Sequence, residues 1–310
     1  MPVDYHDKER SYQLFADAKR QGTWDPDDID FEQDKEDWST LAEEEQQYIA
    51  AFLAAFYDGE ENVTRTLKPY LEAPQELENP SFDPVQEEMF LTSHLYEEAK
   101  HTDFFSRYFG EVIGTQDTAA FQEEDDGDDG YHTDDLYEVQ RDLRAAVKAG
   151  DQERLLHTYA EAVLLYMGLI ENQHARVGYA QLEQVFDHLE ERSGQESFLP
   201  GLREGFTRIR TDEGRHIMNG QWLMMKLADM DESIVTEVYE PVFEQYLEKR
   251  LPPDLEPNLF DVDEEPLLQT AKQSLESTVT WVGPERFDRL GNVERAFEQS
   301  VGDTPTAADD

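Results

Sequence analysis

The stretch Glu97-Glu98-Ala99-Lys100-His101-Thr102-Asp103-Phe104-Phe105 contains a Glu-x-x-His step, and Glu213-Gly214-Arg215-His216 repeats it late in the chain. Three residues rotate a helix by about 300°, so the carboxylate and the imidazole sit about 60° apart and can reach one ion. A single step is weak evidence, because an acidic chain makes it by chance: Glu171-Asn172-Gln173-His174 is a third copy. The order carries the signal. Glu60 precedes Glu98-x-x-His101, and Glu171 precedes Glu213-x-x-His216, with 41 residues from Glu60 to His101 and 45 from Glu171 to His216. Each interval fits one long helix, a turn and part of an antiparallel partner, so the pattern reads as two helix hairpins facing each other.

That order matches the ferritin-like dimetal-carboxylate template, with a Glu from each of two helices and a Glu-x-x-His from each of the other two. The reading is therefore all-α: a ferritin-like four-helix bundle with additional peripheral helices. Ser39-Thr40 caps a first helix that carries Glu60 and runs to Pro69, and a second runs from Asp83-Pro84 to Gly110 with Glu98 and His101. A short helix spans 136–149, Asp151 caps a helix carrying Glu171, and another over 199–230 carries Glu213 and His216. Segments at 234–250 and 266–282 are expected to pack outside. In domain terms, 1–32 is a loosely docked arm, 33–283 the ferritin-like domain and 284–310 a weakly ordered acidic tail. The acidic run 123–130 reads as a solvated loop.

Composition narrows the chemistry. The 310 residues include 72 Asp and Glu against 26 Lys and Arg, a net charge of -46. Such a surface excludes nucleic acid as a partner, since phosphate contacts need clustered cations. The charge also reads as adaptation to a high-salt cytoplasm, where a Debye length of roughly 3 Å at molar salt screens self-repulsion. With no cysteine, any metal must be held by oxygen and imidazole. No apolar run reaches the length of a transmembrane segment, and the N-terminus lacks the apolar core of a signal peptide. Four carboxylates and two imidazoles with open positions suit manganese and iron better than a closed zinc site.

Four strings then resemble a known family: Gly59-Glu60-Glu61-Asn62-Val63-Thr64, Glu97 through Phe105, Tyr166 five before Glu171, and Asp212-Glu213-Gly214-Arg215-His216-Ile217. Over residues 35–230 the chain is similar to the ligand-binding oxidases related to the small subunit of ribonucleotide reductase. The resemblance implies one manganese and one iron per chain, with di-iron as a variant, held by Glu60, Glu98, His101, Glu171, Glu213 and His216. It further implies dioxygen as oxidant, a long-chain fatty-acid-like ligand at the metals, a homodimer, and an ether bond joining Val63 to Tyr166. Asp212 would orient His101, and Tyr179 would lie near the site. Phe105 occupies the position where reductase subunits carry a radical tyrosine, and residues 283–310 contain no tyrosine. A reductase small subunit with a metal-based oxidant, and a non-enzymatic ferritin-like metal-binding protein, are the alternative readings.

Two points are left open by the residues alone. Tyr166 and Glu171 stand about 140° apart on a regular helix, so both face the metals only if that helix carries a π-bulge near Gly168. His94, seven before His101, shares its face, but the template has no place for it, and it reads as a structural or surface histidine, as does His174.

Overall fold

The computed structural model describes residues 8–121, 133–250 and 258–288, and all regular structure in them is helical. Both the acidic run 123–130 and the tail beyond residue 288 lie outside the described residues. Of the two hairpins, the first is α3 (Glu43–Thr66) and α5 (Pro84–Tyr108), the third and fifth helices in chain order. The N-terminus of α3 lies three residues beyond the expected Ser39-Thr40 cap: the Glu45 carboxylate accepts from the Ala42 N–H at 2.9 Å. For α5, Asp83 accepts from the Val85 N–H at 2.9 Å, and Pro84 fills the first helical position, where it loses no hydrogen bond.

The second hairpin is a composite helix followed by α9 (Pro200–Met230). Asp151 caps α7 (Gln152–Val163), accepting from the Arg154 N–H at 3.2 Å. From Leu164–Ala175 the helix widens to π geometry, then resumes as α8 (Arg176–Ser193). The expected single bulge is thus a twelve-residue stretch. A π turn holds about one residue more than an α turn, so residues five apart face the same way. Tyr166 and Glu171 both point inward for that reason.

Outside the bundle, α4 (Lys68–Glu76), α6 (Thr133–Ala149), α10 (Glu240–Arg250) and α11 (Glu264–Val282) complete the packing, α11 lying against α8, α9 and the π stretch. Among the described residues no helix is long and apolar enough to cross a membrane.

The segment taken as a loosely docked arm is built in. Its described part contains α1 (Arg10–Gln21), which packs on α5 and α9 and buries Leu14 and Ala18. After it, α2 (Glu32–Trp38) presents Asp34 to the start of α9, where the carboxylate accepts from the Gly201 N–H at 2.7 Å and the Leu202 N–H at 3.0 Å. These are the orphan donors of a helix N-terminus, which an anion relieves. Sparse apolar residues and many charges hid this docking from pattern reading.

Candidate metal centre

The six template residues converge in the bundle core. Glu60 from α3, Glu98 and His101 from α5, Glu171 from the π stretch, and Glu213 and His216 from α9 are all buried. Glu61 is turned outward and pairs with Arg65 at 2.6 Å. His101 Nδ1 lies 3.5 Å from Glu60 Oε2, 3.3 Å from Glu213 Oε1 and 3.9 Å from Glu98 Oε2. His216 Nδ1 lies 3.1 Å from Glu98 Oε1, 3.4 Å from Glu213 Oε2 and 3.7 Å from Glu171 Oε1. Two donor groups result, each with its ligand atoms within 4.8 Å of one another: Glu60, Glu98, His101 and Glu213, and His94, Glu98, Glu171 and His216. Glu98 belongs to both, and Glu213 stands between the two histidines.

Orphaned atoms test whether ions fit. His101 Nδ1, His216 Nδ1, Glu171 Oε2 and Glu213 Oε2 are buried with no hydrogen-bond partner. Buried polar atoms ordinarily find partners. Four that fail to, all in one cluster, match atoms whose lone pairs belong to cations. The outward ring nitrogens are held: His101 Nε2 lies 3.2 Å from Asp212 Oδ2, and His216 Nε2 lies 2.9 Å from Glu97 Oε2. Fixing one ring nitrogen in this way aims the other at a metal.

A second layer, largely invisible to sequence reasoning, surrounds these histidines. Asp212 receives Lys100 Nζ at 2.7 Å, the Trp24 indole N–H at 2.8 Å and the Arg215 guanidinium. Trp24 also stacks on the His101 ring, with centroids 6.2 Å apart. Arg215 bridges on to Glu97 Oε1 at 2.5 Å, and Lys100 donates to the Gly22 carbonyl at 2.8 Å. The N-terminal segment therefore closes over the groups that hold the His101 and His216 rings. Burial opposes ionisation of Asp212, but His101 and Lys100 outweigh it and hold its pKa well below the usual carboxylate value. Burial and the neighbouring Glu98 push Glu60 well up.

His94 is the main departure from the sequence reading, because it lies inside the centre. It is fully buried and stacks on His216 with centroids 3.6 Å apart. Its Nε2 is 3.0 Å from Glu98 Oε1, 3.1 Å from Glu171 Oε1 and 3.2 Å from the Tyr166 hydroxyl. The seven-residue spacing to His101 was the available signal. His174 lies at the exposed surface.

Tyr166 donates to Glu98 Oε1 at 3.0 Å, and Val63 is buried one turn beyond Glu60. Tyr179 is buried against Phe56 and Phe206. Phe105 is fully buried, stacked near Phe56 and Tyr57.

No protein-family profile matches the chain. Solved structures do. A valine-to-leucine variant of an R2-like ligand-binding oxidase with anaerobically reconstituted Mn/Fe cofactor has a TM-score of 0.70 at 25% identity, covering 91% of this chain and 95% of that one. The R2-like ligand-binding oxidase from Sulfolobus acidocaldarius gives 0.73 at 23%, covering 93% and 96%. This chain is built like the R2-like ligand-binding oxidases. A valine-to-isoleucine variant with aerobically reconstituted Mn/Fe cofactor gives 0.66 at 25%, covering 91% and 96%. The match to R2-like ligand-binding oxidases covers 91% to 93% of this chain in the first two of these structures, and it agrees with the resemblance carried by the four sequence strings.

Proposed function

We propose that this protein is an oxygen-activating oxidase that holds a Mn/Fe pair through Glu60, Glu98, His101, Glu171, Glu213 and His216. The observation that carries the reading is the cluster of orphaned ligand atoms on α5, the π stretch and α9, in a frame shared with Mn/Fe oxidases. When bound, the metal pair supplies two of the four electrons that reduce dioxygen to water, and the oxidising power to take two more from a substrate.

The chain's own residues then set the outcome. Glu98 ties both donor groups together, and Glu213 spans the two imidazoles. Asp212 and Glu97 hold the ring orientations. The buried rings of Phe104, Phe105 and Phe206 pack edge to face against one another. Tyr166, hydrogen-bonded to Glu98, and Val63 on the facing helix are the pair we assign to the ether. Its formation removes the phenol hydrogen and the valine Cβ hydrogen, and the two electrons and two protons go to oxygen. A fatty-acid-like ligand beside the metals, and a homodimer, belong to the same reading.

Loading metal-free protein with Mn and Fe without air, then admitting air, tests it. Intact mass should fall by two hydrogens, a joined peptide containing Val63 and Tyr166 should appear, and Tyr166→Phe should remove that peptide while both metals stay bound. Separate peptides from fully loaded, air-exposed protein would refute the ether assignment. Full metal content in both Glu98→Ala and His101→Ala would refute the ligand set.

A further inference from the structure

Of the seven methionines, Met167 and Met224 are fully buried, while Met89, Met218, Met225 and Met230 are half-buried. Surroundings set one of these four apart. The Arg10 guanidinium, at the start of α1, donates from Nη2 to the Met218 sulfur on α9 at 3.0 Å, and among the described residues no other methionine sulfur accepts a hydrogen bond. Arg10 Nε, on the same guanidinium, is buried without a partner. Met218 also stands in one cavity wall with Glu213 and Gly214.

A thioether sulfur is a weak acceptor, so the guanidinium gives one charged donor to a poor partner and leaves another unused. A sulfoxide at the same place would suit it better: the S–O bond is strongly polar, and its oxygen accepts charge-assisted hydrogen bonds. Arg10 also bears on the step that makes a sulfoxide. A sulfur lone pair attacks one oxygen of hydrogen peroxide, the S–O bond forms as the O–O bond breaks, and the second oxygen leaves as hydroxide. That hydroxide takes the proton from the oxygen now on sulfur and becomes water, so sulfur loses two electrons and peroxide gains them. Negative charge builds on the oxygens during the attack, where the remaining N–H donors of Arg10 stabilise it. The bond from Nη2 occupies one sulfur lone pair and leaves the second for the attack.

We propose that Met218 is a site of oxidation to the sulfoxide by hydrogen peroxide, with Arg10 selecting it over the other methionines and holding the product. The change turns a flexible apolar side chain of the cavity wall into a polar one. The inference does not depend on the oxidase reading, which adds only a source: hydrogen peroxide is what dioxygen becomes when it takes up two electrons and two protons.

The test treats full-length protein, metal-loaded and already oxidised in air, with dilute hydrogen peroxide, and follows the gain of one oxygen at each methionine by fragment-ion mass spectrometry. Met218 should oxidise roughly ten-fold faster than Met225, which is on the same helix and likewise half-buried, and than Met89 and Met230, since one charge-assisted hydrogen bond is worth about that factor. In urea, with α1 undocked, the four rates should converge. Arg10→Gln should bring Met218 down to the rate of Met225, and Arg10→Lys should keep part of the advantage. A ratio that persists in metal-free protein supports the site, and one that vanishes there puts the selectivity in the metals and overturns it. Equal rates in the folded protein, rates still unequal in urea, or Met218 oxidising as fast in Arg10→Gln as before, each overturns it too. The ratio in the unaltered protein needs no variant, so a poorly folded Arg10→Gln leaves the test intact. Failure here leaves the metal assignment standing, and failure of metal binding leaves this site standing.

Discussion

Replacing Glu87 by Gln should stabilise the protein at alkaline pH and leave it nearly unchanged at acid pH. Glu87 is buried on α5, accepts from Asn219 Nδ2 at 2.7 Å, and keeps its other oxygen without a partner. Burial raises its pKa from 4.5 to about 8, with Asn219 opposing. The folded state therefore binds a proton that the unfolded chain has released between those values, and stability falls as pH rises through the window. At about 1.4 kcal/mol per pH unit, the penalty grows to on the order of 4–5 kcal/mol by pH 8. Local relaxation should reduce what is measured to roughly 2–4 kcal/mol. Glutamine keeps the acceptor for Asn219 and carries no charge. Urea denaturation of both proteins at pH 5 and pH 8, at one fixed salt concentration, reads the difference. Taking the difference matters, because self-repulsion of a chain with net charge -46 also grows with pH and is common to both. A constant difference between pH 5 and 8 would refute the claim that Glu87 is buried neutral.

Three further outcomes follow. His94→Gln should keep two metals per chain, because ligation through Nε2 would strand a proton on Nδ1, which has no partner; His94→Ala should weaken metal binding by roughly 10–100-fold, and loss of one whole ion in His94→Gln would make His94 a ligand. Oxygen-exposed protein should show no stable tyrosyl radical by electron paramagnetic resonance, since Phe105 cannot store one, and a persistent tyrosyl signal would contradict that reading. Asp34→Ala should cost roughly 2–4 kcal/mol in denaturant unfolding by exposing two buried N–H donors at the start of α9, and a change under 0.5 kcal/mol would mean that the cap is not needed.

What the sequence revealed depended on whether a residue's role was local or tertiary. The Glu98/His101 and Glu213/His216 steps were legible because three residues on one helix fix their own relative direction. The conflict between Tyr166 and Glu171 even signalled a wide helix, though not its twelve-residue length. Glu97 was not legible: an acid beside Glu98 on paper faces solvent, whereas in the fold it meets Arg215 and His216 from another helix. Trp24, inside the segment read as a loosely docked arm, was not legible either, because nothing within ten residues announces that its indole will reach Asp212. His94 shared the face of His101, but period alone cannot say how deep in a bundle a residue lies.

The charges in the core explain why the centre should exist at all. Its outer layer is close to neutral by itself, Lys100 and Arg215 lying against Asp212 and Glu97. That leaves Glu60, Glu98, Glu171 and Glu213 inside with no side-chain cation except the imidazoles. Burial forbids four ionised carboxylates at this separation, so without ions protons must take their place, which is the sense of the raised pKa values of Glu60 and Glu171. His101 and His216 are likewise drawn well above their usual value, burial opposing and the carboxylates prevailing. Two metal ions would displace those protons and satisfy the orphaned donors in one step, so binding should release protons and weaken as pH falls. A storage surface of scattered acids would show that coupling only at the lower pH where exposed carboxylates take up protons, about 4. The same frame that aims the imidazoles thus also stores the charge imbalance that only cations or protons relieve.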